Sequence, residues 1–356
     1  MRRIVVVGVG GIGGVLAARL ARAGVDVLPV TGNAEISAAI AENGMRVVEL
    51  DGSSWSVAPP RPARVALEPG DGPFDLCLLA TKATTMEDAL VKVVPHLAPG
   101  AAVVTLQNGL PEEIAARVVG VERVAGCVVG FGATMTAPGV YTRTSRGGLQ
   151  LGKLDGGPSL EPIAELLGRI EETSVTAELA GVRWSKLAIN CATSTLGAIG
   201  GLRLGPLLRR RFVRRLVLEL WTEIAAVARA SGVRLALVGG TLDVEKLALT
   251  DRERSAALGS PALTWKHTIL VGVGVKYRRM RSSMLIAIER GRIPEIDFLN
   301  GEVVRRGAAL GVATPVNARL CTAVAAIVAG RERPAIDHLR QVYDETVGAQ
   351  TARDAA

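Results

Sequence analysis

The sequence predicts an α/β fold in its N-terminal half and an all-α fold in its C-terminal half. The chain opens with a β-branched run, RIVVV, which is followed at once by apolar residues at helical spacing. Strand-like and helix-like segments then alternate, as they do in sheets of parallel strands. From about residue 180 the strand signals become few. With 356 residues the chain has room for two domains, which we place at residues 1–178 and 179–356.

The first turn of the chain carries the pattern G-x-G-x-x-G, formed by Gly8, Gly10 and Gly13 in GVGGIG. A membrane span or a signal peptide is the alternative for so apolar a start, but these glycines interrupt it and Gly24 gives the following helix a stop. Between a strand and a helix, such glycines permit a tight turn, close approach of a pyrophosphate and close helix packing. The pattern therefore predicts a Rossmann-type domain that binds a dinucleotide, with a purely structural turn as the alternative. The predicted cofactor-binding residues here are Gly8, Gly10, Gly11, Ile12 and Gly13.

A second strand, VDVLPV, ends at Thr31, Gly32 and Asn33. An acidic residue at this point binds the ribose diol of NAD, and an arginine favours the 2′-phosphate of NADP. This chain has neither, and Thr31 and Asn33 have side chains that hydrogen-bond either form. We therefore assign Thr31 and Gly32 to the cofactor site without a choice between the two cofactors.

Polar residues follow two later strands of the predicted sheet. Thr81 and Lys82 end FDLCLLATKA, and Asn108 follows the strand in AAVVTLQNGL. Open α/β sheets bind their ligands at such strand ends. We expect Lys82 to contact cofactor or substrate and Asn108 to orient either one, although a solvated lysine and a turn residue beside Gly109 are the alternatives. The Val-, Thr- and Gly-rich segment 124–154 predicts an antiparallel edge on this sheet.

The second half offers a buried polar stripe on the helix predicted for VRWSKLAINCATSTLGAI. Lys186, Asn190 and Ser194 are spaced by four residues and share one face among apolar neighbours. Buried polar groups need partners. Lys186 is placed to donate a proton in a cleft, whereas the alternative is a lysine that extends to solvent from a helix edge.

Two further candidates lie near the junction of two later predicted helices, SSMLIAIERG and GRIPEIDFLNGEVVRRGAALG. Ser283 and Glu295 flank this junction, where a cleft would receive both, although Glu295 is also compatible with a plain acid at a helix N-terminus. The helix LLRRRFVRRLVLELWTEIAAVARASG is basic and amphipathic. We interpret it as an ordinary domain helix with a solvated face rather than a membrane-surface helix.

The amino-acid composition indicates which binding partners and which cellular compartment to expect. The net charge of +8 suggests an anionic partner, but the arginines are spread along the chain, aromatic residues are 3%, and no nucleic-acid motif occurs. We therefore expect neither a nucleic acid nor a membrane as partner. The four cysteines lie in apolar surroundings without a CxxC, which favours a reducing, cytoplasmic location. The three histidines are scattered, so we predict no metal site.

Together these segments resemble the ketopantoate reductase (2-dehydropantoate 2-reductase) family. The resemblance is carried, in matching order up to about residue 325, by GVGGIG, Thr81-Lys82, QNG, RWSKLAINC, RSSMLIAIERGRIPEIDFLNG and GVATPVNARL. It implies a Rossmann domain joined to an all-α domain like the C-terminal domain of 6-phosphogluconate dehydrogenase, with the active site in the cleft. It also implies NAD(P)H-dependent reduction of a 2-oxo acid, foremost ketopantoate to pantoate in pantothenate biosynthesis.

The resemblance also implies roles for individual residues. Lys186 matches the catalytic lysine that protonates the carbonyl oxygen as hydride arrives, and Glu295 matches the acid that holds the substrate hydroxyl. Lys186 and Glu295 are the predicted catalytic residues, and Glu295 is also assigned to the cofactor site. Lys82 matches a position near the nicotinamide, and Ser283 matches one that faces the substrate carboxylate. The substrate-binding positions are Asn108, Asn190, Ser194 and Ser283, and Asn108 also belongs to the cofactor site.

The chain departs from the family pattern at several points. Ser194 stands where an asparagine is usual, Leu204 aligns near another substrate-contacting asparagine, and Gly32 replaces the arginine that selects NADPH. The segment 235–275 is longer than usual. These departures favour a branched or bulkier 2-oxo acid as the alternative substrate and only a weak preference for NADP(H) over NAD(H).

Three other classes of protein were weighed against a reductase of this family. A β-hydroxyacid dehydrogenase also places lysine and asparagine four apart on a helix, but it carries a glycine-rich run before the lysine, where this chain has LAGVRWSK. A non-catalytic NAD(P) sensor would need the glycines but neither Lys186 nor Glu295. A basic nucleic-acid or membrane binder would need clustered charge.

The apolar helices of the second domain are compatible with a homodimer.

Overall fold

A computed structural model describes residues 3–237, 242–255 and 260–348 of the chain. The molecule divides into two compact units, Met1–Leu179 and Ala180–Ala356. The first unit is α/β and the second is built from helices, so the predicted fold class is confirmed. Among the described residues, no helix combines the length and the apolarity that a membrane crossing requires.

The first unit alternates strands and helices through its first half, as the sequence predicts. Its strands are β1 (Arg3–Val7), β2 (Asp26–Val30), β3 (Met45–Val48), β4 (Ser54–Val57), β5 (Phe74–Leu79), β6 (Leu97–Thr105), β7 (Val124–Val129), β8 (Gly132–Ala137), β9 (Val140–Ser145), β10 (Leu149–Lys153) and β11 (Thr173–Val175). Its helices are α1 (Gly11–Arg22), α2 (Ala34–Asn43), α3 (Met86–Val93), α4 (Glu112–Val119) and α5 (Glu161–Gly168).

The main sheet has seven strands in the order β11-β10-β7-β6-β5-β1-β2. The five strands β7, β6, β5, β1 and β2 are mutually parallel. The side chains of β1, β2, β5 and β7 are almost wholly buried on both faces, and β6 is buried over residues 101–105, as is usual for parallel strands covered on both faces. The chain order reverses between β5 and β1, which creates a switch point at the carboxyl ends of these strands.

The segment 124–154 does not form one antiparallel edge, and this prediction is wrong in part. β10 does pair antiparallel with β7, but β11 then adds to β10 in parallel. β8 and β9 leave the main sheet and join a second sheet, ordered β4-β3-β9-β8, which the sequence analysis did not predict. Two glycines of α1 explain the departure, because a Cβ at Gly11 would lie 2.3 Å from the Ala133 oxygen and one at Gly14 would lie 2.0 Å from the Tyr141 ring. The antiparallel pair β8–β9 therefore packs directly on α1.

The second unit contains no strand among the residues that the structure describes. Its helices are α6 (Leu179–Asn190), α7 (Leu196–Gly200), α8 (Leu204–Leu208), α9 (Arg211–Ala230), α10 (Val244–Leu247), α11 (Asp251–Ser255), α12 (Pro261–Lys276), α13 (Ser283–Glu289), α14 (Asn300–Leu310), α15 (Pro315–Val328) and α16 (Ile336–Tyr343). The longer segment predicted at 235–275 forms α10, α11 and most of α12, and its residues 238–241 and 256–259 lie outside the described ranges.

The basic helix α9 is buried on most sides, so the expected solvated face is only a narrow strip. Arg215 is buried beside Glu219, and the two side chains form an ion pair at 2.8 Å. The Trp221 indole N–H donates to the Ala188 carbonyl oxygen at 2.9 Å. α9 is therefore the central helix of this unit, and its buried Arg215 and Glu219 are paired with each other.

The predicted helix through residues 182–199 is interrupted. After α6 the residues Cys191–Thr195 form one π-helical turn, and α7 resumes the α-helix. The later helix also begins further along the chain than predicted: a single 3₁₀ turn, Ile296–Phe298, follows Glu295, and α14 starts only at Asn300. The two irregular segments are linked, because the buried Thr195 hydroxyl in the π-helical turn donates to Asn300 Oδ1 at the start of α14.

Candidate active site

The carboxyl ends of the parallel strands form one straight row. Val30, Val7, Leu79 and Thr105 are paired in register across β2, β1, β5 and β6. The next residues continue this alignment, since the Gly8 N–H donates to the Val30 oxygen at 2.8 Å. The segments that begin at Gly8, Thr31, Ala80 and Leu106 therefore emerge side by side from the sheet. These segments contain the cofactor-site residues that the sequence predicts for this unit.

The three glycines of the first turn differ in what surrounds them. Gly8 has φ +93°, and a Cβ there would lie 2.6 Å from the Thr81 nitrogen. A Cβ at Gly13 would lie 2.0 Å from the Gly8 oxygen, so α1 packs closely on the turn. By contrast, a Cβ at Gly10 would meet nothing within 4 Å, and Gly10 is exposed as the N-cap of α1. Only the middle glycine thus borders open space, where a pyrophosphate would approach the helix N-terminus.

The end of β2 offers a small, open position. A Cβ at Gly32 would meet no atom within 4 Å. The Asn33 Oδ1 accepts the Ile36 N–H at 3.0 Å and caps α2, so this oxygen is engaged in the helix cap. Thr31 is buried, and its hydroxyl lies 3.4 Å from the Asn33 nitrogen. The space beside Gly32 is therefore open to a ribose or to a 2′-phosphate.

The ends of β5 and β6 carry the remaining predicted residues of the first unit. Lys82 is exposed and precedes the 3₁₀ turn Ala83–Thr85, and Asn108 is exposed beyond β6. The Thr81 hydroxyl is buried and has no hydrogen-bond partner among the described residues. A buried hydroxyl next to the open glycine turn fits a site that accepts a polar ligand. The residues present thus fit a dinucleotide.

In the second unit, Lys186 and Asn190 lie one turn apart on α6. Lys186 is half-buried, whereas its neighbours Ser185 and Leu187 are fully buried. Burial lowers the pKa of Lys186 from its usual value of 10.5, and the positive charge of Arg183 lowers it further. A lysine whose pKa is lowered releases its proton more readily than an exposed one, as a general acid requires.

The two predicted serines meet. The hydroxyls of Ser194 and Ser283 lie 3.4 Å apart, although 89 residues separate them in the sequence. Ser282 fixes this contact, because its hydroxyl donates to the Ser194 carbonyl oxygen at 2.5 Å and accepts the Leu285 N–H at 3.0 Å. Glu295 lies on a separate segment, half-buried ahead of the 3₁₀ turn. The π-helical turn and the start of α13 therefore bring Ser194 to Ser283.

A buried hydrogen-bond chain behind the π-helical turn was not predicted. The Thr195 hydroxyl donates to the Asn300 Oδ1 at 2.6 Å, the Asn300 Nδ2 donates to the Asn317 Oδ1 at 3.0 Å, and the Asn317 Nδ2 donates to the Glu223 Oε2 at 2.7 Å. Glu223 also accepts the N–H groups of Val316 and Asn317 at the start of α15. The sequence signal was available, because Asn300 and Asn317 are single asparagines in motifs already quoted for the resemblance. This series of hydrogen bonds anchors the π-helical turn that contains Ser194.

No group of three or more histidine, cysteine, aspartate or glutamate side chains in the described part of the chain is arranged to hold a metal ion.

A glycine turn at the switch point of a parallel sheet, followed by an all-α unit with a half-buried lysine, defines the class of nicotinamide-nucleotide-dependent oxidoreductases. Comparison with known proteins narrows this class. The family model for "Ketopantoate reductase PanE/ApbA" matches residues 4–156, and the model for its C-terminal part matches residues 178–328. The chain belongs to the ketopantoate reductase family.

Individual relatives agree with the family. A 2-dehydropantoate 2-reductase of Caulobacter vibrioides is 30% identical over 324 residues, which cover 89% of this chain and 96% of that protein. A crystal structure of a ketopantoate reductase from Ralstonia eutropha has a TM-score of 0.76 and 28% identity, covering 92% of this chain and 99% of the other. D-mandelate dehydrogenase with NADH and anilino(oxo)acetate shares the fold, with a TM-score of 0.77, 23% identity and coverage of 92% and 98%.

The family assigns the general chemistry. The protein is an NAD(P)H-dependent oxidoreductase of the 2-dehydropantoate 2-reductase type, and it reduces a 2-oxo acid with a nicotinamide cofactor. This finding confirms the predicted enzyme class and sets aside a non-catalytic sensor.

Proposed function

We propose that the protein reduces 2-dehydropantoate to pantoate, with Lys186 as the proton donor. The observation that carries this proposal is the lowered pKa of a half-buried lysine one helical turn from an amide, on the helix where the family has its catalytic lysine. In this proposal residues 1–178 bind the cofactor, and residues 179–356 supply the groups that bind and protonate the substrate.

The proposed reaction combines hydride transfer to the carbonyl carbon with protonation of the carbonyl oxygen by Lys186. When bound, the reduced nicotinamide would supply a hydride, that is one proton with two electrons, to the carbonyl carbon of the substrate and would itself be oxidised. The Lys186 ammonium donates a hydrogen bond to the carbonyl oxygen, stabilises the negative charge that develops there and transfers its proton to that oxygen. The product is a 2-hydroxy acid, and solvent returns a proton to the Lys186 amine.

Five further polar residues are proposed to orient the substrate. Asn190, on the same face of α6, is proposed to hold the substrate by its amide, and Glu295 to accept the substrate hydroxyl. The Ser194–Ser283 pair offers hydroxyl donors for the substrate carboxylate. Asn108 is proposed to contribute its amide from the end of β6.

The cofactor site is proposed to follow the open positions of the first unit. The pyrophosphate would lie against Gly10 and the N-terminus of α1, with Gly8, Gly11, Ile12 and Gly13 shaping the turn. Thr31 and Gly32 would border the adenosine ribose, and Lys82 would contact the cofactor near the nicotinamide. Because no arginine stands at Gly32, we propose a weak preference for NADPH over NADH.

A branched or bulkier 2-oxo acid is the second candidate substrate. Ser194 is shorter than the asparagine that is usual at its position, and Leu204 is a buried apolar residue at the start of α8. Both replacements remove amide groups that would otherwise hydrogen-bond a polar substrate. D-mandelate dehydrogenase, whose ternary structure holds anilino(oxo)acetate, shows this fold with a ligand that bears an aromatic ring.

A panel of 2-oxo acids decides between the two substrates. Purified protein is assayed with 2-dehydropantoate, straight-chain, branched and aryl 2-oxo acids, and oxidation of NADPH or NADH is followed by absorbance. The highest kcat/KM for 2-dehydropantoate supports the first proposal, and a branched or aryl acid at the top of the ranking replaces it with the second. Oxidation of neither cofactor with any 2-oxo acid would overturn both.

A further inference from the structure

The second unit contains a cavity of about 580 Å³ whose lining includes none of the residues proposed above for catalysis or substrate binding. It lies where the start of α9 meets α12 and α16. Its volume falls in the range of sites that bind small molecules, roughly 300–1,000 Å³. Its charged lining consists of Arg210, Arg211, Arg215, Arg254, Arg340 and His267.

The cavity holds an excess of positive charge. Glu219 accepts hydrogen bonds from Arg215 and Arg254, at 3.0 and 2.9 Å, and so partly neutralises those two guanidinium groups. Arg210, Arg211 and Arg340 form no ion pair within the described ranges. In the part of the chain that the structure describes, the five arginines thus carry more positive charge than the Glu219 carboxylate balances. Such an excess of positive charge attracts anions.

Arg215 and Arg254 are held rigidly. Arg215 donates to the carbonyl oxygens of Glu253 and Arg254, at 3.3 and 3.0 Å, in addition to its bonds with Glu219. Arg340 lies over the rings of Phe212 and Tyr343, with its guanidinium carbon 4.6 and 5.8 Å from the two centroids. These contacts orient the guanidinium groups in advance, which lowers the entropic cost of binding a ligand.

His267 provides an independent sign of a missing partner. Its side chain is 8% exposed, and its Nδ1 is buried without a hydrogen-bond partner among the residues described. Burial lowers the pKa of His267 to about 4, with further lowering from Arg214, Arg211 and Arg215. A buried ring nitrogen that faces a cluster of cations is therefore left without the polar partner that buried groups ordinarily have.

The start of α9 adds a third feature. Arg210, Arg211 and Phe212 are the N-cap and the first two residues of this 20-residue helix, and they line the cavity. The side chain of the N-cap residue Arg210 does not cap the helix and instead donates to the Pro206 carbonyl oxygen at 3.2 Å, and the first turn has no acidic residue. Arginines at a helix N-terminus oppose the macrodipole, whereas an anion beside them is favoured by both the dipole and the free N–H groups.

We propose that this cavity is a binding site for a small phosphorylated molecule with a diphosphate or longer polyphosphate group. Arg210, Arg211 and Arg340, which have no carboxylate partner among the described residues, match the charge of such a group, and the guanidinium fork matches the geometry of its oxygens. A monoanion would leave most of the positive charge unbalanced.

The test uses the full chain and the signals of its three histidines, His96, His267 and His338, in ¹H–¹³C NMR spectra. Pyrophosphate is titrated at constant ionic strength, and His267→Gln identifies the reporting signal. We expect a saturable shift of the His267 signal. His267 distinguishes this cavity from the glycine turn of the first unit, where a pyrophosphate group is also proposed to bind.

Matched variants locate the binding. Arg211→Gln and Arg340→Gln should each weaken pyrophosphate binding by roughly tenfold, the effect of losing one charge-assisted hydrogen bond. Arg209→Gln removes the same charge from the neighbouring exposed arginine, which does not line the cavity, and should leave binding unchanged. The KM for NADPH should be the same in all three variants.

The outcomes separate the proposal from its alternatives. No saturable His267 shift with millimolar pyrophosphate, or equal weakening by Arg209→Gln, would overturn the site. Citrate that binds as tightly as pyrophosphate would overturn the phosphate assignment, since a tricarboxylate would then satisfy the same arginines.

Discussion

At the residue scale, the chemistry depends on the charge of Lys186. The ammonium must be present to stabilise a developing negative oxygen, yet it must also release its proton. Burial and the neighbouring Arg183 lower its pKa, which favours release of the proton, while the amine remains protonated at pH values below that lowered pKa. An exposed lysine with its usual pKa of 10.5 would hold its proton more tightly.

Lys186→Ala should lower turnover by at least roughly a hundredfold, the range of a lost general acid. Cofactor affinity should remain nearly unchanged, because Lys186 is not among the residues proposed to bind the cofactor. Steady-state kinetics with NADPH titration measures both, and Lys92→Ala, at an exposed lysine, is the control. Turnover close to that of the parent protein would remove Lys186 from the mechanism.

The pH profile gives a sharper criterion for Lys186. Reduction requires the protonated amine, so kcat/KM should fall as the pH rises through a pKa that lies below 10.5. Lys186→Arg keeps the positive charge but does not deprotonate in this range, so its low rate should lack this alkaline decrease. An unchanged alkaline decrease in the variant would assign it to another group.

Gly32 carries the prediction on cofactor choice. The parent protein should prefer NADPH over NADH by less than roughly a thousandfold, or about 4 kcal/mol. Gly32→Arg should raise this preference by roughly tenfold or more, because a guanidinium would then face the 2′-phosphate. The open space at Gly32 predicts that the variant folds normally. The ratio of kcat/KM values for the two cofactors measures the effect, and an unchanged ratio would contradict the placement of the phosphate.

At the element scale, the first turn separates a structural glycine from a ligand-binding one. Gly13→Ala forces a methyl group to within 2.0 Å of the Gly8 oxygen, so the variant should lose about 1–3 kcal/mol of stability. Gly10→Ala places its methyl group in open space and should cost less than about 1 kcal/mol, while weakening cofactor binding. Thermal unfolding and cofactor fluorescence test the pair. Equal losses of stability in both variants would contradict the proposed division.

The elements also show which features the sequence can predict. The strand-turn-helix start follows from period, β-branching and glycine spacing, all of which are local. The π-helical turn at Cys191–Thr195 is not local, because Thr195 is held by Asn300, 105 residues away. The apolar spacing predicts a continuous α-helix, and it does not distinguish an α-helical turn from a π-helical one. The contact between Ser194 and Ser283 likewise depends on tertiary packing.

At the scale of the whole molecule, the clustering of charge also depends on tertiary packing, so the sequence alone does not predict it. The arginines are spread along the sequence, and this distribution argued for a plain basic surface. The fold instead gathers residues from positions 210 to 340 around one cavity. Sequence distance therefore underestimates the clustering of charge. The net charge of +8 predicts neither the cavity nor its location.

The buried chain that ends at Glu223 makes stability depend on pH. Burial raises the pKa of Glu223 to about 7, against the hydrogen bonds from Asn317 and Val316 that lower it. The folded protein therefore binds this proton more tightly than the unfolded chain, whose carboxyl has a pKa of 4.5. Its stabilising effect is complete below about pH 4.5 and is lost as the pH rises through about 7.

The unfolding free energy should accordingly fall by about 3 kcal/mol between pH 4.5 and pH 8 on account of Glu223 alone. Other groups titrate in this range, among them His267 with its pKa near 4, so the observable is the difference between the parent protein and Glu223→Gln. Urea unfolding across this pH range measures that difference. The variant is less stable at low pH because it loses hydrogen bonds at the start of α15, and the gap should narrow as the pH rises. A gap that widens with pH would mean that Glu223 is ionised in the folded protein and that its hydrogen bonds outweigh its burial.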